Sequence, residues 1–378
     1  MNMRSWVGLY GFELKKIVKS RLMIAMFVFL FITIIIEALA PRLSTSRETT
    51  EARRTLSGRV IDDELLQEMY PKLIDDGSTW TDENKEYYGI AYVEDVMVDN
   101  EKPLDQYTAD EMYAQRQAAI DHYMEYDGLT EGEIDWWKNK AAKVVTPFTY
   151  YYYEGALNLA QGLTGILLVI FLISAICVST VFTSEHRQRT DQVVLSCKHG
   201  RMATYFAKIA AGLTVVTGSS IAGSGLLALM ILIISGMDGL NAIVQLEIPQ
   251  ASYAFTFGQF IWIQLVVMIT AGILFATFAM GVSEMLKNSM AVMGLMIGIF
   301  IYSQVEIVPP QFRFLSQTRA MLPSNQMSVW ALMEYRLINI GGHYLTGFVT
   351  SPILYLIISA VLIIIGAVAY NRFQVTGR

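Results

Sequence analysis

The side chains that could do chemistry are concentrated in residues 184–208, SEHRQRTDQVVLSCKHGRMATYFAK. This basic stretch holds three arginines, two lysines and two histidines, although about twenty apolar residues precede it and about twenty-five follow it. His186, Cys197 and His199 are side chains of the types that bind zinc, but a fourth ligand and the usual ligand spacing are missing. We therefore predict no metal site. The stretch either binds something acidic or forms a contact surface at a membrane face.

Motifs for nucleotide and metal chemistry are absent from the sequence. There is no G-x-x-x-x-G-K-[ST] phosphate loop, no Gly-Lys dipeptide and no H-E-x-x-H motif. The two cysteines, Cys177 and Cys197, are predicted to be inert thiols. A nucleic-acid surface would need a larger basic area with stacking aromatic residues. We therefore predict that the chain is not an enzyme, holds no cofactor and binds no nucleic acid.

Long apolar stretches must position the basic segment. Of the 378 residues, 53% are hydrophobic, which indicates a membrane protein. A spanning helix needs about 20 mostly apolar residues. Six stretches meet or approach this length: 22–40, 163–182, 209–234, 257–282, 289–305 and 353–370. Ala38-Leu39-Ala40 resembles a signal-peptide cleavage site, but the apolar run before it is too long, so we favour an uncleaved first span.

Basic residues at the amino terminus set the expected orientation, because positive residues favour the cytoplasmic side. Five of them precede the first span: Arg4, Lys15, Lys16, Lys19 and Arg21. Six spans then return the carboxyl terminus to the cytoplasm. Residues 184–208 are expected on the cytoplasmic side, and residues 41–155 and 306–347 on the outside. Apolar side chains at helical spacing in 1–21 favour an amphipathic interfacial helix over a plain basic flank.

The predicted fold is an all-α integral membrane protein with six transmembrane helices, an amphipathic amino-terminal interfacial helix and a mainly helical extracellular domain. The predicted parts are the interfacial helix at 1–21, the first span at 22–40, the extracellular domain at 41–155 and the second span at 156–183. They continue with the cytoplasmic loop at 184–208, the third to fifth spans at 209–305, the extracellular segment at 306–347, and the sixth span with the cytoplasmic tail at 348–378. The spans are nearly free of charge, with only Glu37 and Lys208 at their edges. Because ion-coupled carriers usually keep ionisable residues at mid-membrane, another subunit is the expected source of energy.

The segment 41–155 is acidic, with 25 Asp and Glu against 12 Lys and Arg. Capping boxes at Thr108-Glu111 and Thr130-Glu133 predict two helices, and a third is predicted from Ile61 to near Pro71. The acidic residues predict a solvated surface, with attraction for a cationic ligand as the alternative. Four tyrosines at 150–153 favour the membrane–water boundary over a ligand-stacking site. Trp136 and Trp137 either pack the domain or touch the bilayer.

Within the basic segment, residues 190–197 place Val193, Val194 and Cys197 on one helical face. A short amphipathic helix at the membrane, ready to dock a partner, fits this pattern better than a bare loop. The segment resembles the cytoplasmic loop of type-two ABC exporter permeases in a set of residues that includes Phe182-Thr183-Ser184-Glu185, Thr190, Leu195-Ser196, Arg201 and Lys208. It departs from that family at Arg189, where Gly is frequent, and at 197–200, where Pro is common. The insert at 41–155 resembles the branch of the family with large extracellular domains.

The resemblance implies that two permease subunits pair with two cytoplasmic ABC ATPase subunits, which hold the ATP and Mg. The second permease copy is identical or a paralogue. The loop then acts as a coupling helix. The residues implied at the coupling surface are Glu185, Thr190, Leu195 and Arg201, with Arg187 and Arg189 as accessory charges. Residues 306–347 are implied to dip partly into the outer leaflet, where membrane lipid surrounds them.

The implied function is outward movement of a hydrophobic or amphipathic peptide, lipid or drug across the cell membrane of a bacterium. Sodium export is a less favoured version, because mid-membrane acidic residues are missing. A membrane receptor or immunity protein, whose external domain binds a ligand without transport, is the alternative from another class.

Overall fold

The computed structural model describes residues 3–72, 85–99, 101–188, 200–305, 308–309 and 312–372. In chain order its α-helices are α1 (Met3–Val18), α2 (Arg21–Ser44), α3 (Arg47–Thr55), α4 (Asp63–Met69), α5 (Tyr88–Met97), α6 (Ala109–Tyr126), α7 (Glu131–Ala141), α8 (Glu154–Leu172), α9 (Thr180–Gln188), α10 (Gly200–Ile234), α11 (Phe257–Leu286), α12 (Ser289–Gln304), α13 (Arg313–Ala320), α14 (Pro323–Met327) and α15 (Gly347–Arg372). Two strands, β1 (Ile338–Ile340) and β2 (His343–Leu345), form an antiparallel hairpin. This hairpin is a small departure from the all-α fold that the sequence predicts.

Five helical segments of the described chain are long and apolar enough to cross a membrane: Arg21–Leu43, Glu154–Ser184, Arg201–Ile234, Phe257–Leu286 and Gly347–Arg372. They contain five of the six predicted spans. The remaining predicted span forms α12, which has 16 residues. At about 1.5 Å per residue α12 extends about 24 Å, less than the roughly 30 Å hydrocarbon core. The membrane character of the chain is confirmed, whereas the sixth crossing stays a prediction.

Polar residues at the helix ends set the boundaries of the bundle helices. Ser20 begins α2, because its side chain accepts a hydrogen bond from the Met23 amide at 3.1 Å. Thr256 and Gln259 form a capping box that starts α11. At its other end α11 stops at Lys287, whose φ of 53° is left-handed. Asn288 immediately caps α12, so two residues reverse the chain between α11 and α12.

Helix α11 lies at the centre of the bundle and packs against α8, α10 and α15. Its Gln264 is fully buried and donates to the carbonyl oxygens of Ala160 at 3.0 Å and Met327 at 2.6 Å. Nearer its other end, the Thr277 hydroxyl lies 3.1 Å from the Ser359 hydroxyl of α15. Since polar groups in an apolar interior are costly unless paired, these bonds fix the register of α11 against its neighbours.

The second predicted span contains an irregular turn. A π-helix, Ile173–Val178, separates α8 from α9. Its defining bond runs from the Ser179 amide to the Ser174 carbonyl at 3.1 Å, five residues back. Such π-turns are rare and often occur at functional sites, because they leave backbone geometry that can be rearranged. The helical path from α8 to α9 is therefore continuous and contains one π-turn.

At the α8 start of the bundle, the described residues of 47–153, 235–256 and 312–346 pack together, and we call them the cap. Both predicted capping boxes are present in it, at Thr108-Glu111 and Thr130-Glu133. Helix α4 begins after Asp62, which accepts from the Leu65 amide at 3.1 Å, and ends before Pro71, close to the predicted bounds. The helical content predicted for this part of the chain is confirmed.

An aromatic cluster forms the core of the cap. Trp137 is fully buried, and its Nε1 donates to the Tyr335 carbonyl at 2.6 Å. Its ring meets those of Tyr253 and Tyr335 edge-on, with centroid distances of 4.9 and 5.2 Å. These three residues come from the three separate chain segments of the cap. Trp137 therefore packs the cap, which settles the alternative that the sequence left open for it.

A buried arginine also joins the segments of the cap. Arg116 on α6 is 5% exposed and donates to the carbonyl oxygens of Pro249 at 2.6 Å and Ala251 at 3.1 Å. Burial lowers the pKa of its guanidinium, which stays protonated because the ordinary value of 12.5 is so high. Gln250, in the same loop, donates to the Val96 carbonyl at 2.8 Å. The loop between α10 and α11 is thus fixed to α5 and α6.

Candidate functional site

The structure places the predicted coupling residues only in part. Glu185 and Arg187 belong to α9, and Arg201 lies in the first turn of α10. Arg189, Thr190 and Leu195 lie outside the described residues, as do Cys197 and His199 of the rejected zinc set. The part of the chain that the structure describes contains no cluster that could hold a metal ion. The coupling surface itself therefore remains a prediction.

Arg201 ties the start of α10 to the end of α15. Its guanidinium donates to the carbonyl oxygen of Asn371 at 3.1 Å. A cation is favourable at this position, because the last carbonyl groups of a helix carry partial negative charge and lack partners within the helix. At this end of the bundle α9 and α11 end and α10 begins, and we call it the loop face.

Aromatic rings lock three helices together at the loop face. Phe182 of α9, Tyr205 of α10 and Tyr370 of α15 lie with ring centroids 5.5 to 5.8 Å apart. The Tyr205 hydroxyl also donates to the Ile363 carbonyl at 2.8 Å. All three rings are buried. The cluster therefore packs α9, α10 and α15 directly against one another.

Charged side chains are buried on α1, α10 and α11. Lys208 is fully buried; its Nζ donates to the Val181 carbonyl at 3.4 Å and lies 5.1 Å from the centre of the Phe182 ring. Glu284 of α11 and Glu13 of α1 are each only 3% exposed. Because buried charges are retained only when polar neighbours stabilise them, Lys208, Glu284 and Glu13 require such neighbours in the folded protein.

Helix α1 packs along α10 and confirms the predicted amino-terminal helix. The Tyr10 hydroxyl lies 2.9 Å from the Thr214 hydroxyl, and Ile17 is buried on the same side. Phe12 lies on another side of α1 and is 64% exposed. One face of α1 therefore lies against the protein, and the interfacial position of this helix stays a prediction.

A second candidate site is a cavity of about 360 Å³ on the cap side of the bundle, which we call the outer cavity. It lies between α8, α11, α12 and α14. Phe171 of α8 lines it, and its ring centroid lies 5.2 Å from those of both Phe275 of α11 and Phe300 of α12. The volume falls in the range of about 300–1,000 Å³ that is typical of sites for drug-sized ligands.

The polar side chains that line the outer cavity are neutral, and apart from Thr164 of α8 they lie on its α12 and α14 side. Ser303 and Ser324 share a hydrogen bond of 2.8 Å, and Gln304, Asn325 and Ser328 complete this edge. No charged residue of the described chain lines the cavity. An apolar surface with a neutral polar edge suits an apolar or amphipathic ligand better than a metal ion.

One acidic residue lies behind the cavity wall. Gly165 lines the outer cavity, and a side chain at this position would collide with the carboxylate of Glu37 on α2. Thr164, beside it, donates to the Met327 carbonyl at 3.1 Å. The absence of a side chain at Gly165 therefore allows α2 and α8 to approach closely.

Of the four tyrosines at 150–153, which the sequence places at the membrane–water boundary, only one is exposed. Tyr150, Tyr152 and Tyr153 are buried between the cap and the start of α8, whereas Tyr151 is 45% exposed. Tyr153 donates to the Leu246 carbonyl at 2.9 Å. Only Tyr151 has the exposure that contact with a membrane–water boundary requires, because protein groups surround the other three.

The fold and these sites define a polytopic α-helical membrane protein with a folded cap at one end and buried charges at the other. A family model described as "ABC-2 family transporter protein" matches residues 8–375, and the chain belongs to this family. Membership makes the chain an ABC permease and implies an ABC ATPase as partner in general. It confirms the permease resemblance, and the extracellular-insert branch stays a prediction. Comparison with curated proteins and with solved structures gave no match.

Proposed function

We propose that this chain is the permease subunit of an ATP-driven exporter, and that it moves an apolar or amphipathic peptide, lipid or drug outward. The observation that carries the proposal is the outer cavity, in which three phenylalanines and a neutral polar edge face one another without a charged group. The same composition argues against sodium as the cargo, because Na⁺ in a dry site needs charged or several carbonyl ligands.

The proposed orientation has the loop face in the cytoplasm and the cap outside the cell. Four basic residues precede α2 and Arg21 is its first residue, and three arginines lie in the 184–208 segment. Positive residues at the loop face favour its location in the cytoplasm. Helix α1 then lies in the inner interface. Helices α13 and α14 are too short to cross a bilayer, with 8 and 5 residues, and in this proposal they lie in the outer leaflet.

In the proposed mechanism a separate ABC ATPase, which holds ATP and Mg, docks on residues 184–208. Glu185, Thr190, Leu195 and Arg201 provide the contact, with Arg187 and Arg189 as accessory charges. A second copy of the chain or a paralogue completes the transporter, which membrane lipid surrounds.

Movement of the loop reaches the outer cavity along two routes that the contacts support. One is the continuous path from α9 through the π-turn to Phe171 of α8, which places Phe171 about 26 Å from the end of α9 at Gln188 at 1.5 Å per residue. The other runs from α10 to α15 through Arg201 and Tyr205. Because α15 packs on α11, which carries Phe275, both routes end at the same cavity.

Affinity purification of the tagged chain in mild detergent, with mass spectrometry of the bound proteins, tests this proposal. We expect an ABC ATPase to copurify with the wild type and with Leu195→Met, and to be lost with Leu195→Asp, since a charge would disrupt an apolar docking face. An ATPase retained by Leu195→Asp would move the interface elsewhere. If no ATPase binds the wild type, the exporter proposal fails and the receptor becomes the better account.

A further inference from the structure

A second cavity lies where the cap meets the first turn of α8, and the proposed transport function does not use it. It has a volume of about 220 Å³, and we call it the tyrosine chamber. Five tyrosines line it together with two glutamates and one arginine. Its volume is below the roughly 300–1,000 Å³ of sites for drug-sized ligands, so it suits one small group rather than a whole cargo molecule.

One side of the tyrosine chamber already holds a cation from the chain itself. Arg53 forms an ion pair with Glu154 in the first turn of α8. Its guanidinium carbon lies 5.0 Å from the centre of the Tyr88 ring. A cation is attracted to the negative face of an aromatic ring, and a carboxylate neutralises its charge. The walls of this chamber are therefore chemically suited to a guanidinium or ammonium group.

The other side of the tyrosine chamber carries a carboxylate without such a cation. Glu247 accepts a hydrogen bond from the Tyr153 hydroxyl at 3.2 Å, and it forms no ion pair within the described part of the chain. Tyr92 holds the same residue in place by donating to the Glu247 carbonyl at 3.1 Å. Burial raises the pKa of the Glu247 carboxyl, and the hydrogen bond from Tyr153 opposes this rise.

We propose that the tyrosine chamber binds a small organic cation, an ammonium or guanidinium group, between the Glu247 carboxylate and the faces of the tyrosine rings. Arg53 and Glu154 neutralise each other, so the Glu247 carboxylate is the unbalanced charge that an incoming cation would meet. The binding energy comes from the carboxylate and from cation–π attraction, which strengthens when both partners are shielded from water.

The position of the tyrosine chamber gives such a cation a structural effect. Tyr92 belongs to α5 of the cap, Tyr153 and Glu154 lie at the start of α8, and Glu247 lies in the loop before α11. A cation bound between them would link α5 and the loop before α11, both in the cap, to the first turn of α8. Basic side chains of peptides and quaternary-ammonium lipid headgroups share this chemistry, and the two sources differ in whether the cation has N–H donors.

Binding is measured on the purified full chain in detergent by isothermal titration calorimetry, with tetramethylammonium chloride and methylguanidinium chloride as probes and NaCl at equal ionic strength as the reference. We expect saturable binding of at least one probe. Tighter binding of methylguanidinium identifies a basic peptide side chain as the natural ligand, and tighter binding of tetramethylammonium identifies a quaternary-ammonium headgroup. If neither probe binds saturably above the NaCl reference, the proposal is overturned.

The Glu247→Gln variant tests the carboxylate. Because a hydrogen bond or ion pair to a charged group contributes about 1.5–3 kcal/mol, we expect its affinity to fall by about tenfold or more. Glu125→Gln removes the same charge from an exposed position of α6 and should bind as the wild type does. Equal affinity of Glu247→Gln and wild type would refute the assignment.

A second pair of variants keeps the test decisive if Glu247→Gln does not fold. Tyr92→Phe keeps the aromatic ring and removes the hydroxyl, whereas Tyr92→Leu removes the ring. We expect Tyr92→Leu to bind several-fold more weakly than Tyr92→Phe. Equal affinities of the two variants would overturn the cation–π part of the site. None of these measurements needs an ATPase or transport, so their failure is distinguishable from failure of the proposed function.

Discussion

A buried carboxyl group in the cap predicts a pH dependence of its stability. Glu94 on α5 is fully buried and accepts a hydrogen bond from the Tyr70 hydroxyl. Its other carboxylate oxygen, Oε2, is buried with no hydrogen-bond partner in the described chain. Burial is the main cause that raises the pKa of this carboxyl from 4.5 to about 7, and the Tyr70 bond opposes it. The folded cap therefore binds this proton more tightly than the unfolded chain does.

The size and sign of the effect follow from this difference. The difference between the ordinary pKa of 4.5 and the folded pKa of about 7, at about 1.4 kcal/mol for each unit, corresponds to about 3 kcal/mol in the free energy of unfolding. Because the folded pKa is the higher one, this stabilisation is complete below about pH 4.5 and is lost as the pH rises through 7. Glu94→Gln is neutral at every pH. It should therefore be more stable than the wild type above pH 7, by up to about 3 kcal/mol, and similar to it near pH 4.5.

Hydrogen exchange followed by mass spectrometry measures the local stability of the cap in the full-length protein. Peptides from α4 and α5 of Glu94→Gln and wild type are compared at each pH, so the intrinsic pH dependence of exchange cancels. At pH 8 we expect the variant to exchange about a hundredfold more slowly, and near pH 4.5 at a similar rate. Glu125→Gln, at an exposed site on α6, should show no such difference. A constant ratio of the Glu94→Gln and wild-type rates from pH 5 to pH 8 would refute the reasoning.

Two further predictions concern the aromatic clusters. Trp137→Ala should destabilise the cap by about 3–5 kcal/mol, because it removes a fully buried ring, whereas Trp136→Ala, at a partly exposed position, should destabilise it less. Limited proteolysis of the cap compares the two variants. Equal resistance of both variants to cleavage would contradict the packing of Trp137. Phe171→Ala should lower the stimulation of ATP hydrolysis by apolar compounds several-fold in the purified complex without loss of the copurifying ATPase. Phe314→Ala, at an 81% exposed position outside the outer cavity, is its control, and equal stimulation in both variants would argue against the cavity as cargo site.

Much of the fold could be predicted from the sequence, because the signals that specify it are local. Long apolar runs identify the bundle helices, and the Thr130-Glu133 capping box fixes the start of α7. The predicted second membrane segment, 156–183, starts within two residues of α8 at Glu154, whereas the apolar run at 163–182 begins nine residues later, since the first turns of α8 contact the cap and carry polar residues. Local rules do not register such long-range contacts.

The candidate sites were less predictable for the same reason. Phe171, Phe275 and Phe300 have the same apolar character as lipid-facing residues of their helices, so composition cannot separate a cavity wall from a membrane surface. Gln264 was the available signal, because an uncharged polar residue inside an apolar run requires a protein partner. The tyrosine chamber combines segments about 200 residues apart in the chain, from Arg53 to Glu247, and only their packing brings them together.

The central claim is that ATP-driven movement at the loop face changes the outer cavity. Spin labels at Leu168→Cys on α8 and Ile299→Cys on α12, both at the cavity and partly exposed, report its width by electron paramagnetic resonance distance measurement. Cys177→Ser and Cys197→Ser remove the native thiols. In the purified complex with the ATPase we predict one distance distribution without nucleotide and a shift by several ångströms when ATP is trapped. Identical distributions in a complex that hydrolyses ATP would contradict the account.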